Sequence, residues 1–118
     1  MTVEQAIRTA LASVAGGRVY NGPAPEDVEL PYVGFIRTGE SPQFDMAGTR
    51  MGGISQYRFQ FDTVADDLDV ARAVAVALES ALLASSALDA IPLNSFESVE
   101  DEPTSAVFVQ EFSIWHTP

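Results

Sequence analysis

Residues 57–62 have the sequence Tyr-Arg-Phe-Gln-Phe-Asp, in which aromatic and polar side chains alternate strictly. A period of two with one aromatic face predicts a strand that is buried on one side only. From Asp66 to Leu83 the period becomes helical, and the apolar side of that helix consists of Ala71, Val74, Leu78, Ala81 and Leu82. We therefore expect the helix to cover the aromatic face of the strand, with the rest of the chain arranged around this pair.

Further strands and a second helix are predicted on both sides of this unit. Thr2 and Gln5 have the spacing of a capping box, and Gly16-Gly17 is expected to end the helix that follows. Strands are predicted at 32–38, at 93–100 on the sheet edge, and at 106–116. The predicted fold class is α+β, with two layers: a mainly antiparallel sheet of about four to five strands and two helices packed on one face.

The last predicted strand carries apolar residues on both faces. One face has Phe108, Phe112 and Ile114, and the other has Val107, Val109 and Trp115. A strand with two apolar faces is either central in its sheet or covered on its second face by another subunit.

The segment Gly39–Gly53 joins two predicted strands and contains five glycine or proline residues among scattered apolar side chains. We predict a hairpin with a long loop or a mobile arm, because loops of this length are usually functional or disordered. One interpretation is that partner proteins are contacted by the arm residues Phe44, Met46, Arg50 and Met51. The other is that Phe44 and Met46 fold back onto the domain.

Composition predicts one domain, residues 1–118, that forms its own core. The formal net charge is −11 and all six cations are arginine, which opposes binding to a phosphate backbone. Cysteine is absent, so disulfides and thiolate metal sites are excluded. No signal peptide or membrane-spanning run is recognisable, and we expect the protein to be made and to fold in a cytoplasm.

Residues suited to catalysis are scarce. His116 is the only histidine and lies two residues from the C-terminus, lysine is absent, and no serine lies in a nucleophile-elbow motif. The carboxylates of Asp66, Asp67 and Asp69 lie at a helix start, where Asp66 is expected to cap the helix and the others to interact with its dipole. We therefore predict no enzyme activity, no metal site and no cofactor.

The order of motifs resembles that of the tail-completion, or tail-terminator, family of long-tailed bacteriophages and prophages. The similarity runs from about Glu4 to His116 and includes five short motifs. They are Gly-Gly-Arg-Val-Tyr at 16–20, Leu-Pro-Tyr-Val at 30–33, the Gly-rich arm, the 57–62 strand with its helix, and Phe-Ser-Ile-Trp at 112–115. Many relatives carry a tryptophan shortly after the aspartate that ends the central strand, whereas this chain has Thr63-Val64 there.

This resemblance implies a structural virion protein that assembles in the host cytoplasm and resides in the tail or neck. Its implied partners are further copies in a ring, typically hexameric, the tail tube protein and the head–tail connector protein. The ring would end tube polymerisation and offer the head–tail joining surface, and DNA would pass through its lumen without specific binding. Two alternatives stay open: another neck protein, such as a connector or stopper, and a small cytosolic α+β ligand-binding domain or enzyme.

Overall fold

The computed structural model describes residues 2–44, 50–101 and 104–116. Its elements are α1 (Val3–Ala10), a 3₁₀ turn (Val14–Gly17), β1 (Val19–Asn21), β2 (Tyr32–Phe44), β3 (Arg50–Ala65), α2 (Leu68–Ala84), β4 (Asp89–Asp101) and β5 (Thr104–His116).

The strands form one five-stranded sheet in the order β1-β2-β3-β5-β4. β1 runs parallel to β2, and every other neighbouring pair is antiparallel. Apolar residues of α1 and α2 join one core cluster with side chains from a single face of the sheet, so both helices pack on that face. The predicted two-layer α+β fold with a mainly antiparallel sheet is confirmed.

The core is built on the aromatic side of β3. Phe59 and Phe61 have no exposed surface, and the Phe61 ring lies 5.6 Å from the ring of Phe35 and 5.5 Å from that of Phe112. Edge-to-face and offset rings at such distances add to the free energy gained by area burial. Leu78 and Leu82 of α2 are fully buried in the same cluster, as their helical spacing predicted.

The predicted start of α1 is confirmed, and that of α2 is shifted by one residue. The Gln5 backbone N–H donates to Thr2 Oγ1 at 3.1 Å, and the Thr2 backbone N–H donates to Gln5 Oε1 at 2.9 Å. The expectation that Asp66 caps α2 is wrong: the Val70 N–H donates to Asp67 Oδ1 at 2.9 Å. α2 begins at Leu68, so Asp67, in an extended conformation, is the residue immediately before the helix. This is the position from which a side-chain oxygen can accept a hydrogen bond from a free N–H of the first turn.

The first helix ends earlier than the glycine pair. α1 ends at Ala10, and Leu11 and Val14 are both buried, so the chain turns between them into the core. Gly16 and Gly17 have φ of 63° and 84° and close the 3₁₀ turn. Glycine adopts this left-handed conformation without a Cβ clash, so the pair redirects the chain after the helix has already ended.

Strand structure extends far into the predicted arm at Gly39–Gly53. β2 and β3 are paired from Tyr32 opposite Val64 to Pro42 opposite Ser55, and one further pair joins Phe44 and Arg50. Residues 45–49 of the hairpin lie outside the described part of the chain. The pairing register shifts between Arg37 and Gly39 and again between Pro42 and Phe44. Such β-bulges accommodate a glycine or proline that would otherwise end the strand. The predicted hairpin is present, and its two strands extend into the segment that was expected to be a loop.

We expect Phe61→Ala to lower the free energy of unfolding by about 3–5 kcal/mol, because the substitution leaves a cavity among three buried rings. The matched control is Phe96→Ala, since Phe96 is 58% exposed and should cost less than about 0.5 kcal/mol. Urea denaturation followed by circular dichroism measures both. Equal losses for the two variants would contradict the assignment of the core.

Candidate functional site

One face of the sheet carries no helix in the described part of the chain, and we call it the outer face. The register places Ile36 of β2 and Ile91 and Phe96 of β4 on it, because their partners alternate with the core-facing residues of β3 and β5. These three side chains are 48%, 50% and 58% exposed, respectively. Isolated exposed apolar side chains are ordinary, and β3 and β5 separate Ile36 from the other two, so we treat this face as a candidate interaction surface, strongest at β4.

The outer face is mixed in character. Along β3 it is polar: Arg58 lies 3.6 Å from Glu111, and Gln60 Nε2 donates to Asp62 Oδ1 at 3.0 Å. Toward β4 it becomes apolar, with Phe96 opposite Val109. β5 lies between β3 and β4, so its two apolar faces belong to an interior strand, and on its outer side Val109 is only 8% exposed.

The β2–β3 hairpin projects past the rest of the sheet. Among the described residues the last pair of β3 with β5 at this end is Ser55 with His116, whereas one pair of β3 with β2, Arg50 with Phe44, lies beyond it. Of the predicted arm at Gly39–Gly53, the described residues that lie beyond Ser55 and its partner Pro42 are 43, 44 and 50–53. The structure brings the backbones of Phe44 and Arg50 opposite each other, with Met51 next in the strand. Met46 lies outside the described residues, and contact of the arm with partners stays a prediction.

A groove of about 590 Å³ lies between α2 and β4, on the helix side of the sheet, and we call it the α2–β4 groove. Its walls include Val76, which is 64% exposed, and Leu93, which is 45% exposed. Arg72 Nε donates to Glu97 Oε1 at 2.6 Å and Arg72 NH2 to Oε2 at 2.9 Å. The hydrogen bond from Arg72 lowers the pKa of the Glu97 carboxyl below its ordinary value, so this pair stays ionised at neutral pH.

Gln110 lies at the floor of this groove and was not singled out from the sequence. Its side chain is 7% exposed, and its Nε2 donates to the Ala75 carbonyl at 3.2 Å. Its Oε1 is buried and accepts no hydrogen bond within the described chain. The only available signal was a polar residue at a core-facing position between Phe108 and Phe112. A buried acceptor without a donor is costly, so the position calls for an explanation.

The candidate residues of the enzyme alternative do not form one site. Asp66 directly follows Ala65, which pairs with Ala106 of β5. His116 lies ten residues after Ala106 on the same strand, and at the rise of a β-strand this separates the two ends of β5 by roughly 33 Å. Asp62 is on the outer face and Glu97 is bonded to Arg72. Within residues 2–44, 50–101 and 104–116, no three histidine or acidic side chains are grouped as a metal site requires.

None of the described helices is both long and apolar enough to cross a membrane.

Comparison with known proteins adds two findings to this geometry. The sequence profile of a family described as "Tail completion protein gp17" matches residues 5–117. Among solved structures, the chain is similar to a chain of the "Virion of native gene transfer agent (GTA) particle". The TM-score is 0.70 and the identity 18%, over 96% of this chain and 92% of that chain, so this likeness shows the fold. No curated protein sequence matches the chain.

His116 should make stability fall in mild acid. Burial lowers its pKa, while the Glu4 carboxylate acts in the opposite direction. Between the lowered pKa and the ordinary value near 6.5, the unfolded chain binds more protons than the folded one, so the free energy of unfolding decreases as pH falls. Denaturation of wild type and His116→Gln between pH 8 and 5 measures this contribution, because shared carboxylate effects cancel in the difference. A difference that does not change with pH would contradict it.

Proposed function

We propose, from the premise that this chain belongs to the tail completion protein gp17 family, that it forms a ring at the head-proximal end of the tail tube. There the ring ends tube polymerisation and provides the surface for head–tail joining. The family inferred from the sequence motifs is confirmed by the match over residues 5–117, and membership makes the chain a structural protein of a phage-like tail or neck.

The observation that carries the ring proposal is the outer face. The two helices bury one side of the sheet, while Ile36, Ile91 and Phe96 on the other side are each about half exposed. Burying apolar area yields roughly 25 cal/mol per Å², so repeated contacts between copies or with tube protein would recover free energy that the isolated subunit cannot. Contacts between different surfaces of neighbouring copies are head-to-tail, and they form a ring when the rotation from copy to copy closes.

The charge of the chain suits a ring that DNA crosses. Binding of a nucleic-acid backbone takes clustered cations, whereas this chain has 17 acidic residues and 6 arginines. Several arginines already face carboxylates of the same chain, namely Arg37 with Glu4, Arg58 with Glu111 and Arg72 with Glu97. An acidic lumen would repel the phosphates and allow DNA to slide through without being held.

Two serine substitutions on the outer face, Ile91→Ser and Phe96→Ser together, should weaken assembly without unfolding the subunit. The matched control is Leu83→Ser, since Leu83 is a similarly exposed (54%) leucine on α2 and lies off the outer face. Light scattering at increasing protein concentration, with and without purified tail tubes, should show a closed oligomer for wild type and control. A wild-type protein that stays monomeric and never associates with tubes would refute the ring.

Changes in the arm should alter tails while leaving the fold intact. We expect Arg50→Glu, or deletion of arm residues 43–53, to produce overlong or unjoined tails, because these residues lie beyond the part of the sheet that β5 shares. Electron microscopy of lysates measures tail length and head attachment, and circular dichroism checks the fold. Normal joined tails from an arm-deleted phage would contradict this role, and binding to purified filled heads before tails would instead indicate a stopper.

A further inference from the structure

Both margins of the sheet are open in the described part of the chain. At one margin β4 pairs only with β5, and from Asn94 to Asp101 the register of this pair has no further shift. At the other margin β1 covers β2 only from Val33 to Phe35, and the chain then turns away at Gly22, whose φ is 101°. The edge of β2 at 36–39 therefore has no neighbouring strand among the described residues. An uncovered strand edge presents backbone N–H and C=O groups that can pair with another strand.

The exposed apolar side chains of the sheet lie at these margins. Ile36, the first residue of β2 beyond the cover of β1, is 48% exposed, and Phe96 on β4 is 58% exposed. No large apolar side chain described on the interior strands β3 and β5 is exposed to that extent. Within one subunit Ile36 and Phe96 are on the same outer face but are separated by β3 and β5. A second copy that continues the sheet would bring the Ile36 of one copy close to the Phe96 of the other, and cross-strand apolar neighbours of this kind stabilise a sheet.

The strand directions fit a junction between β4 and β2. β2 is antiparallel to β3, β3 to β5, and β5 to β4, so β4 runs antiparallel to β2. A second copy that continues the sheet in the same orientation therefore places its β2 antiparallel to the β4 of the first copy. Antiparallel pairs are more common than parallel pairs and slightly more stable per residue. Because the two edges are different surfaces of one chain, the contact is head-to-tail and can be repeated around a ring.

Charge favours β2, rather than a second β4, as the strand that pairs with β4. Between Asn94 and Asp101 the chain has three acidic residues and no cation, so pairing of two β4 strands would bring two acidic segments together. At the β2 edge, Arg58 of β3 lies opposite Gly39, and its side chain is 61% exposed, with Glu111 3.6 Å away on the β5 side. Since glycine has no side chain, Gly39 does not screen Arg58 from a strand that is added at this edge.

We propose that β4 of one copy pairs with the edge of β2 at 36–39 in the next copy, as antiparallel strands, so that the sheet continues from subunit to subunit. The partner at each margin is a second copy of this chain. This inference rests on the proposed ring and assigns the main-chain contact that links its subunits. It also places the exposed Ile36 and Phe96 within the contact rather than on a free surface.

Placement is tested by crosslinking, since the chain has no cysteine and introduced thiols are the only ones present. One tagged variant carries Thr38→Cys on β2 and a differently tagged variant carries Asn94→Cys on β4, both at exposed positions. The mixed proteins, at a concentration where light scattering shows oligomers, are treated with a short bismaleimide. We expect the 38–94 product at least about tenfold above the 38–83 product of the control Leu83→Cys, which is exposed on α2, because adjacent edges raise the effective thiol concentration.

Main-chain pairing is tested by hydrogen exchange of the wild-type protein. Exchange is followed by mass spectrometry of peptides, in dilute protein and at the concentration where oligomers form. We expect amide exchange at 36–39 and at 94–97 to slow at least about tenfold on assembly, because backbone N–H groups that face water would then be hydrogen-bonded to the neighbouring copy. The control is the exposed loop at 23–29, which lies outside both edges and should exchange at the same rate in both states.

The two experiments separate failure of the contact from failure of the ring. Oligomers with equal 38–94 and 38–83 products, or with unchanged exchange at both edges, would overturn the strand pairing while leaving the ring in place. A 94–94 product more abundant than the 38–94 product would also overturn it, because it would show β4 paired with β4. Protein that stays monomeric at every concentration, with and without tail tubes, would contradict both the pairing and the ring.

Discussion

The structure depends on the packing of α2 against the aromatic face of β3. The rings of Phe59 and Phe61 lie side by side, 6.3 Å apart, and they share one buried cluster with Leu78 and Leu82, so that none of the four side chains is exposed. Because the strand leads directly into the helix, with Asp67 capping the first turn, the chain can return onto the same face that it has just left. The other strands widen the sheet on both sides of β3, and α1 packs beside α2 on the same face.

This packing leaves part of the sheet without a covering helix. A helix layer of α1 with eight residues and α2 with seventeen cannot cover both faces of a five-stranded sheet, nor the whole width of one face. The outer face and the α2–β4 groove are what remains uncovered. These surfaces expose Phe96, Val76 and Leu93, and below the groove the side-chain oxygen of Gln110 accepts no hydrogen bond within the described chain. Membership in the tail completion family explains why surfaces stay uncovered in the subunit, because a structural protein of the virion contacts other virion proteins.

The periodic parts of the fold could be predicted from the sequence, whereas features that depend on contacts between distant residues could not. The alternation at 57–62, the apolar stripe of α2 and the capping box of Thr2 and Gln5 are local patterns, and each is confirmed. The length of β2 was missed because Gly39 and Pro42 resemble strand breakers, and only pairing with β3 shows that bulges accommodate them. Gln110 was missed because a single polar residue in a core-facing column has meaning only once the position of α2 is known.

The most direct measurement of the central claim compares side-chain accessibility in the free protein and in assembled tails. Hydroxyl-radical footprinting labels exposed apolar side chains, and Phe96 and Leu83 have nearly equal exposure in the subunit, at 58% and 54%. If the outer face is a contact surface in the virion, Phe96 should lose most of its labelling on assembly while Leu83 keeps its own. Unchanged labelling of Phe96 in tails that contain the protein would contradict the claim that this uncovered face is buried by neighbours.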